Sequence, residues 1–398
     1  MSLVRHWLSR AAPERPALIL PDGATFTFRD LSQRAGGTGL NVLQGDAGTL
    51  ALGLIDCALG DGTAFPLPPG LHPTQRESLL ALAAGATDPR LSLIITTSGS
   101  TGQPKGVRLS WRAVAAAARI GGKALDLRPN DVWLICLPLY LIGGATILYR
   151  TLRAGATALV HEGFDAVAVG EALAAHGVTH VSLVPAMLAQ LVERAVPPAP
   201  SLRCALIGGQ ALAPALAEKA RAAGWPLRLS YGMSETCATA LVDGRPLPGV
   251  RVRVGAAGTL EVASPARMRG YLGEEDAGEW LTTNDLAAIA DDGRVTILGR
   301  ADEMLISGGV KVHPLEIEAR LAGCPGVRDA GVIGLPDPVW GDVIACAYEG
   351  HASEREVDAW CRASLPSARR PRRFMRLERL PRLPSGKLDR RALRGLWS

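Results

Sequence analysis

Between residues 91 and 242 the chain alternates short apolar, β-branched runs with alanine-rich stretches, and this alternation limits its fold more than any other feature. The strand candidates lie at 91–97, 132–138, 157–162, 178–185, 202–209 and 226–232. Strands buried on both faces have continuous apolar runs, and helical crossovers between them imply parallel pairing. The intervening stretches, such as WRAVAAAARIGGKAL, are rich in residues that favour helix. The sequence therefore predicts a doubly wound α/β core.

Two further segments follow this core. Residues 243–300 contain short alternating runs separated by glycine and proline, a pattern typical of a small β subdomain. After residue 300 the chain has a βαβ-like rhythm of its own, which predicts a separate α+β domain. We therefore expect a large N-terminal domain at 1–300, with its β subdomain at about 243–300, and a small C-terminal domain at 301–398.

The composition favours a soluble globular protein, with 47% hydrophobic and 20% charged residues. No apolar run reaches about 18 residues, so no membrane span is predicted. The first residues lack a continuous apolar core, so we expect no signal peptide and a cytoplasmic location. The seven cysteines form no CxxC pair and are expected to be reduced, buried thiols.

Arginines accumulate near the carboxy terminus, at 369, 370, 372, 373, 376, 379 and 382. Such a run can bind nucleic acid. No aromatic platform or nucleic-acid motif accompanies it, so we predict no nucleic-acid partner. Arginines on a solvated face, or near a polyanionic cofactor, explain the run better.

A run of hydroxyl residues, glycines and one lysine follows the first core strand directly, from Thr96 to Gly106. Hydroxyls and backbone N–H groups donate to phosphate oxygens, glycine permits close approach, and lysine supplies positive charge. A Walker A loop would place Ser or Thr after the GK pair. Here Lys105 follows Pro104 and precedes Gly106, so the spacing excludes an ordinary P-loop.

This run resembles the phosphate loop of the adenylate-forming enzymes, which include acyl- and aryl-CoA ligases, luciferases and the adenylation domains of peptide synthetases. The other motifs of that family follow in the same order along almost the whole chain. They are Gly208-Gly209-Gln210-Ala211, Tyr231-Gly232-Met233-Ser234-Glu235-Thr236, Thr283-Asn284-Asp285, Gly299-Arg300-Ala301-Asp302, Ser307-Gly308-Gly309-Val310-Lys311 and Pro384-Ser385-Gly386-Lys387-Leu388.

The resemblance implies an ATP site. It implies that Tyr231 stacks on adenine, that Ser234 contacts the α-phosphate and that Glu235 binds Mg²⁺. Asp285 and Arg300 would contact the ribose. The implied ATP- and AMP-binding residues are Thr97, Ser98, Gly99, Ser100, Thr101, Gly102, Gly208, Gly209, Gln210, Tyr231, Gly232, Asp285 and Arg300, and the implied catalytic residues are Lys105, Ser234, Glu235 and Lys387.

The resemblance also implies two half-reactions, with ATP and CoA as co-substrates. The carboxylate of the acid first attacks the α-phosphorus of MgATP, and Lys387 assists. The mobile C-terminal domain then rotates about Asp302 and brings the loop at Gly308 and Gly309 to the tunnel for pantetheine, where the CoA thiol attacks the acyl-adenylate.

Within this family the central stretch is most similar to the o-succinylbenzoate–CoA ligases of menaquinone synthesis, at 179–185, 207–212 and 232–237. Leu141 stands where those ligases usually have histidine, and only about ninety residues precede the phosphate loop. Three alternatives stay open: a CoA ligase for another aromatic or medium-sized acid, a ligase that loads a carrier protein, and a non-catalytic nucleotide-binding homologue. A homodimer is implied at the family level only.

Overall fold

The computed structural model describes residues 2–86, 88, 90–97 and 104–397. The strands described are β1 (Pro16–Ile19), β2 (Thr25–Thr27), β3 (Leu40–Leu43), β4 (Thr63–Pro66), β5 (Leu91–Thr97), β6 (Lys105–Ser110), β7 (Val132–Ile135), β8 (Thr157–Val160), β9 (His180–Leu183), β10 (Cys204–Ile207), β11 (Leu227–Met233), β12 (Ala238–Val242), β13 (Arg245–Pro246), β14 (Arg251–Val254), β15 (Thr259–Ala263), β16 (Gly270–Tyr271), β17 (Leu281–Ile289), β18 (Val295–Arg300), β19 (Leu305–Ser307), β20 (Val310–Val312), β21 (Val327–Asp337), β22 (Gly341–Gly350) and β23 (Arg373–Leu377).

The helices described are α1 (Leu3–Leu8), α2 (Phe28–Gln33), α3 (Ala47–Leu59), α4 (Pro73–Ala84), α5 (Trp111–Ala124), α6 (Ile142–Ala154), α7 (Ala166–Ala175), α8 (Pro185–Glu193), α9 (Pro214–Ala222), α10 (Pro314–Leu321), α11 (Glu354–Ser364) and α12 (Arg390–Gly395). None of them is long and apolar enough to cross a membrane.

The largest sheet has the strand order β13-β12-β11-β10-β9-β7-β8-β1-β2. Its strands run parallel from β11 to β1, and the strands outside this range are antiparallel. One apolar core packs helices α1, α3, α5 and α6 against the sheet, and a second core packs α7, α8 and α9. Because helices cover both faces, the predicted doubly wound α/β fold is confirmed.

The strand before the phosphate loop lies outside this parallel sheet. Strand β5 belongs to a five-stranded sheet of order β16-β6-β5-β4-β3 and pairs antiparallel with β6. The prediction that residues 91–97 belong to the parallel sheet was therefore wrong. The physical reason is the hairpin between Thr97 and Lys105, which returns the chain directly alongside β5.

Two smaller sheets complete the molecule. Strands β14, β15, β17 and β18 form a four-stranded antiparallel sheet, which is the predicted β subdomain. Strands β19 to β23 form the C-terminal sheet, packed on α10 and α11. A large N-terminal domain and a C-terminal α+β domain are therefore confirmed, whereas the boundary at 300/301 stays a prediction.

His180 on β9 is a core residue. Its Nε2 lies 2.9 Å from the backbone oxygen of Leu125, and its Nδ1 lies 2.8 Å from Oγ1 of Thr179. Its ring stacks on Trp133 with a centroid separation of 4.9 Å. Both ring nitrogens thus have partners, as expected for a buried structural histidine.

Candidate active site

The ends of the phosphate loop are fixed by a hairpin. Thr97 ends β5 and pairs in register with Lys105 at the start of β6, and its Oγ1 lies 3.4 Å from the Lys105 carbonyl oxygen. The loop residues named from the sequence, namely Ser98, Gly99, Ser100, Thr101 and Gly102, lie outside the described residues. The two loop ends therefore lie side by side at one edge of the five-stranded sheet.

Lys105 extends from that edge toward Tyr271 and Glu274. Its Nζ lies 4.5 Å from the centroid of the Tyr271 ring and 3.2 Å from Oε1 of Glu274. Both the lysine and Glu274 are largely exposed, so the ion pair itself contributes little stability. The ammonium group is therefore positioned while it stays accessible to an anion.

Glu235 lies on a short 3₁₀ turn, Ser234–Thr236, that follows β11. The backbone N–H of Met268 donates to the Glu235 carbonyl oxygen at 2.7 Å. The buried Thr236 hydroxyl lies 3.1 Å from the backbone nitrogen of Met233 and 2.9 Å from the carbonyl oxygen of Ala238. These bonds fix the backbone of the turn, so the Glu235 side chain projects from a rigid base.

The carboxylate of Glu235 suits a magnesium ion that arrives with ATP. Its Oε1 accepts a hydrogen bond of 2.8 Å from the Tyr271 hydroxyl, and within 104–397 no basic side chain pairs with it. Mg²⁺ prefers oxygen ligands and commonly takes one or two carboxylates together with substrate phosphates. The described residues contain no group of three or more acidic, histidine or cysteine side chains that could hold a metal alone. The donor set therefore fits a metal that the nucleotide helps to bind.

Tyr231 and Asp285 form a second cluster, together with Arg300. The Tyr231 hydroxyl donates to Oδ2 of Asp285 at 2.7 Å, and Nη1 of Arg300 lies 3.5 Å from Oδ1 of the same carboxylate. Asp285 and Arg300 are register partners on β17 and β18. Burial, and after it the charge of Asp285, raises the pKa of Tyr231 well above its ordinary value. The phenol therefore stays protonated and can hold the carboxylate in place.

Asp302 lies directly after this group. Arg300 binds it through two hydrogen bonds, of 2.9 Å from Nε to Oδ1 and 2.7 Å from Nη2 to Oδ2. The Asn284 amide adds a bond of 3.3 Å to Oδ2. Asp302, the residue expected to act as the hinge, is thus hydrogen-bonded to both Arg300 and Asn284.

The loop that carries Lys387 packs on the segment Gly208–Gln210. The Lys387 Cε would lie 3.8 Å from a Cβ built at Gly209, which has a φ of +84°. A Cβ at Gly386 would come within 2.7 Å of Cγ2 of Val184. The positive φ at Gly209 and the close approach of Val184 at Gly386 thus favour glycine on both sides of the contact.

Lys387 extends into the cleft between the domains. Its side chain is exposed there, yet the protein around the cleft partly desolvates the ammonium group. This desolvation, and then the charge of Arg300, lowers the pKa of Lys387 below its ordinary value, while Asp285 and Glu235 act in the opposite direction. The lysine therefore lies within electrostatic reach of both carboxylates.

The loop at Gly308 and Gly309 lies elsewhere on the C-terminal domain. Both glycines have positive φ, +57° and +77°, and the Gly308 N–H donates to the Trp340 carbonyl oxygen at 2.9 Å. A Cβ at Gly308 would come within 2.9 Å of the Trp340 ring, and the Arg372 guanidinium lies 3.8 Å from the centroid of that ring. The structure thus brings Lys387, and not this loop, to Gly209.

Three residues that the sequence analysis did not select belong to or border the site. Tyr271 binds Glu235 and Lys105, Arg382 binds the Lys387 loop, and Arg150 is a fully buried cation on α6. A local signal exists only for Arg150, as a lone charge in the apolar run TILYRTL. The contacts of Tyr271 join segments far apart in the chain, whereas Arg382 bonds the carbonyl oxygen of Gly386 four residues ahead.

Two models of known protein families match this chain. A family described as AMP-binding enzyme matches residues 74–272, and the C-terminal domain of AMP-binding enzymes matches residues 316–387. The chain is 36% identical over 335 residues to a 2-succinylbenzoate–CoA ligase of Bacillus mycoides, covering 76% of this chain and 69% of that protein.

Solved structures agree with this fold. The o-succinylbenzoate CoA synthetase of Bacillus subtilis in complex with its acyl-adenylate intermediate has a TM-score of 0.84, with 27% identity over 99% of this chain and 98% of that one. A double mutant of the same enzyme bound with its product analogue has a TM-score of 0.69 at the same coverage. The structure described here is thus more similar overall to the acyl-adenylate complex. By its matched domains, its relatives and its fold, the chain belongs to the family of AMP-binding enzymes.

Proposed function

We propose that the chain is an ATP-dependent carboxylic acid–CoA ligase that acts on 2-succinylbenzoate through an acyl-adenylate. The observation that carries the proposal is the position of Lys387. Lys387 reaches Gly209 from the C-terminal domain, and the charges of Asp285 and Glu235 act on its ammonium group. A cation delivered to a nucleotide site by a second domain is what adenylate formation needs at the reacting carboxylate.

In the first half-reaction a substrate carboxylate oxygen bonds to the α-phosphorus of ATP, and the bond to pyrophosphate breaks. Lys387 would neutralise negative charge between the two reactants, and Asp285 would orient the ribose. Magnesium held by Glu235 and the phosphates would neutralise charge on the leaving pyrophosphate. Positioning and electrostatics supply most of the catalysis in such transfers.

In the second half-reaction the thiol of CoA attacks the acyl carbonyl, and AMP leaves with the electron pair of the broken bond. The loop at Gly308 and Gly309 would then replace Lys387 at the site by rotation about Asp302. Trp340 and Arg372, which stack beside this loop, offer an aromatic face and a cation to an adenine and a phosphate. This pair supports CoA rather than a carrier protein as the acceptor.

A second carboxylate on the substrate is supported by Arg150. Its side chain is 2% exposed, its Nε lacks a hydrogen-bond partner, and across the described ranges no acid pairs with it. It lies over the Trp133 ring at 5.1 Å from the centroid and near Cys237, which follows the Glu235 turn. Burying an unpaired cation is costly. A diacid such as 2-succinylbenzoate could compensate this charge after one carboxylate has been activated.

The location and partners follow from the same proposal. All seven cysteines are free and buried, which supports a cytoplasmic protein. The small-molecule partners are the acid, ATP and CoA, and a homodimer stays a family-level prediction.

The proposal is tested by measuring pyrophosphate release with MgATP and 2-succinylbenzoate, benzoate, phenylacetate or octanoate. Each acid is assayed alone, with CoA and with a phosphopantetheine-loaded carrier protein, and Lys387→Ala serves as the inactive control. We expect sustained release with 2-succinylbenzoate and CoA only. Faster release with another acid would replace the substrate, and no release with any acid would reject the ligase.

A further inference from the structure

Tyr271 contacts two charged groups of the candidate site at once. Its hydroxyl donates to Oε1 of Glu235 at 2.8 Å, and the face of its ring lies 4.5 Å from Nζ of Lys105. Nζ of Lys105 also lies 3.2 Å from Oε1 of Glu274, which is three residues after Tyr271. One aromatic side chain thus connects the acid proposed for magnesium with the lysine at the end of the phosphate loop.

The backbone of Tyr271 is fixed relative to both groups. It pairs with Val107 on β6, and a Cβ at Gly106 would come within 2.4 Å of Cδ1 of Leu272. Glycine at 106 thus leaves room for the Leu272 side chain beside β6. On the other side, the Met268 N–H binds the Glu235 carbonyl oxygen. The short strand is therefore held between the phosphate-loop hairpin and the Glu235 turn.

The position of Tyr271 affects both the Glu235 carboxylate and the Lys105 ammonium. A glutamate side chain has three rotatable bonds, and the hydrogen bond from Tyr271 restricts them while leaving Oε2 available. The aromatic face attracts the ammonium of Lys105 without neutralising it, unlike a second carboxylate at that place. The Tyr271 hydroxyl thus holds the Glu235 carboxylate, and the face of the same ring holds the Lys105 ammonium.

We propose that Tyr271 is a positioning residue for the magnesium–triphosphate site, where it orients the Glu235 carboxylate for the metal and Lys105 for the phosphates. The inference rests on the proposed function, because it assumes that Glu235 and Lys105 bind MgATP. The phenol is not consumed and takes no part in a bond-making step. A purely structural role would instead affect only the stability of the β16–β6 pair.

Tyr271→Phe separates these roles because it keeps the ring and removes only the hydroxyl. Tyr149→Phe is the matched control: that buried hydroxyl donates to the Leu54 carbonyl oxygen at 3.3 Å, in the core beneath α6. The direct readout is binding of Mn²⁺ in the presence of ATP, followed by electron paramagnetic resonance. Loss of a hydrogen bond to a charged group predicts about tenfold weaker Mn²⁺ binding for Tyr271→Phe, and less than about twofold for the control.

Kinetics give a second readout. The KM for MgATP in pyrophosphate release should rise about tenfold in Tyr271→Phe, with a smaller change in the rate of thioester formation from supplied acyl-adenylate. Tyr271→Leu, which also removes the aromatic face, should weaken ATP binding further. Equal Mn²⁺ affinity in Tyr271→Phe and wild type would overturn the inference. Absence of any ATP-dependent Mn²⁺ binding in the wild type would overturn the proposed function with it.

Discussion

Arg382 of the C-terminal domain reaches Gln210 of the N-terminal domain, with 3.4 Å between its Nη1 and the glutamine Oε1. The same Nη1 donates to the Gly386 carbonyl oxygen at 2.8 Å, and Nη2 pairs with the Asp329 carboxylate. Arg382 therefore links the Lys387 loop, its own domain and the segment beside the nucleotide site. The link to Gln210 depends on the domain arrangement, whereas the other two lie within the C-terminal domain.

Arg382→Lys should slow adenylate formation about tenfold, because a lysine cannot form the fork of bonds that holds the loop. ATP–pyrophosphate exchange measures this step, and thioester formation from supplied acyl-adenylate should change less. Arg362→Lys on α11, where the arginine pairs with Asp358 of the same helix, is the matched control. In a double-mutant cycle, Gln210→Leu should cost less in Arg382→Lys than in the wild type. Additive losses would show that the contact across the domains has no functional weight.

Lys387→Ala should abolish adenylate formation and spare thioester formation from supplied acyl-adenylate. Removal of one preorganised charge contact typically costs about a hundredfold or more in rate. The exposed Lys123 at the end of α5 provides a control, Lys123→Ala, that removes the same charge away from the site. Equal loss of both half-reactions in Lys387→Ala would reject its assignment to the first step.

Adenylate formation should decline as the pH rises, and the decline should occur at a lower pH than deprotonation of an ordinary lysine would cause. Desolvation and Arg300 lower the pKa of Lys387, so its ammonium loses the proton at a lower pH than in free lysine. Only the cation can neutralise the developing charge, so activity falls as pH rises through this pKa. The pH profile of pyrophosphate exchange measures the decline. In Lys387→Arg, where the guanidinium keeps its charge, the decline should move to higher pH or vanish; an unmoved decline would assign it to another group.

Arg150→Met should weaken recognition of a diacid without destabilising the fold. Burial lowers the pKa of Arg150 to about 10. The charged side chain therefore costs free energy of folding at neutral pH, and an apolar replacement removes this cost. We expect the free energy of unfolding in urea to stay level or rise. The KM for 2-succinylbenzoate should rise about tenfold, while the inhibition constant of benzoate, a monoacid that is not turned over, should not. An equal rise for both acids would exclude Arg150 as the contact for a second carboxylate.

Gly232→Ala should destabilise the site segment by about 3 kcal/mol or more, because overpacking against the backbone cannot be relieved by a rotamer change. A Cβ at Gly232 would lie 1.7 Å from the Ala238 carbonyl oxygen on the paired strand β12. Gly278→Ala, where a Cβ meets nothing within 4 Å, is the control. Thermal unfolding of both variants measures the difference, and similar melting temperatures would contradict the required close approach.

Much of the fold follows from short stretches of sequence. Buried strands appear where the apolar runs predicted them, as at Cys204–Ile207 and His180–Leu183, because continuous burial on two faces leaves a local pattern. Motifs mark the expected site residues for the same reason, because the glycines, hydroxyls and charged side chains of each motif lie close together in the sequence. The antiparallel partner of Leu91–Thr97 was missed because an apolar run does not encode which strand lies beside it.

The sequence alone determined the order of elements, the family motifs and the chemical types available at the site. Only the tertiary structure decided which of them meet. The hydroxyl of Tyr271 bonds Glu235 across 36 residues, and Arg382 reaches Gln210 across 172. Propensity and periodicity act within one element, whereas these contacts depend on strand order, on the docking of two domains and on glycines that permit close approach.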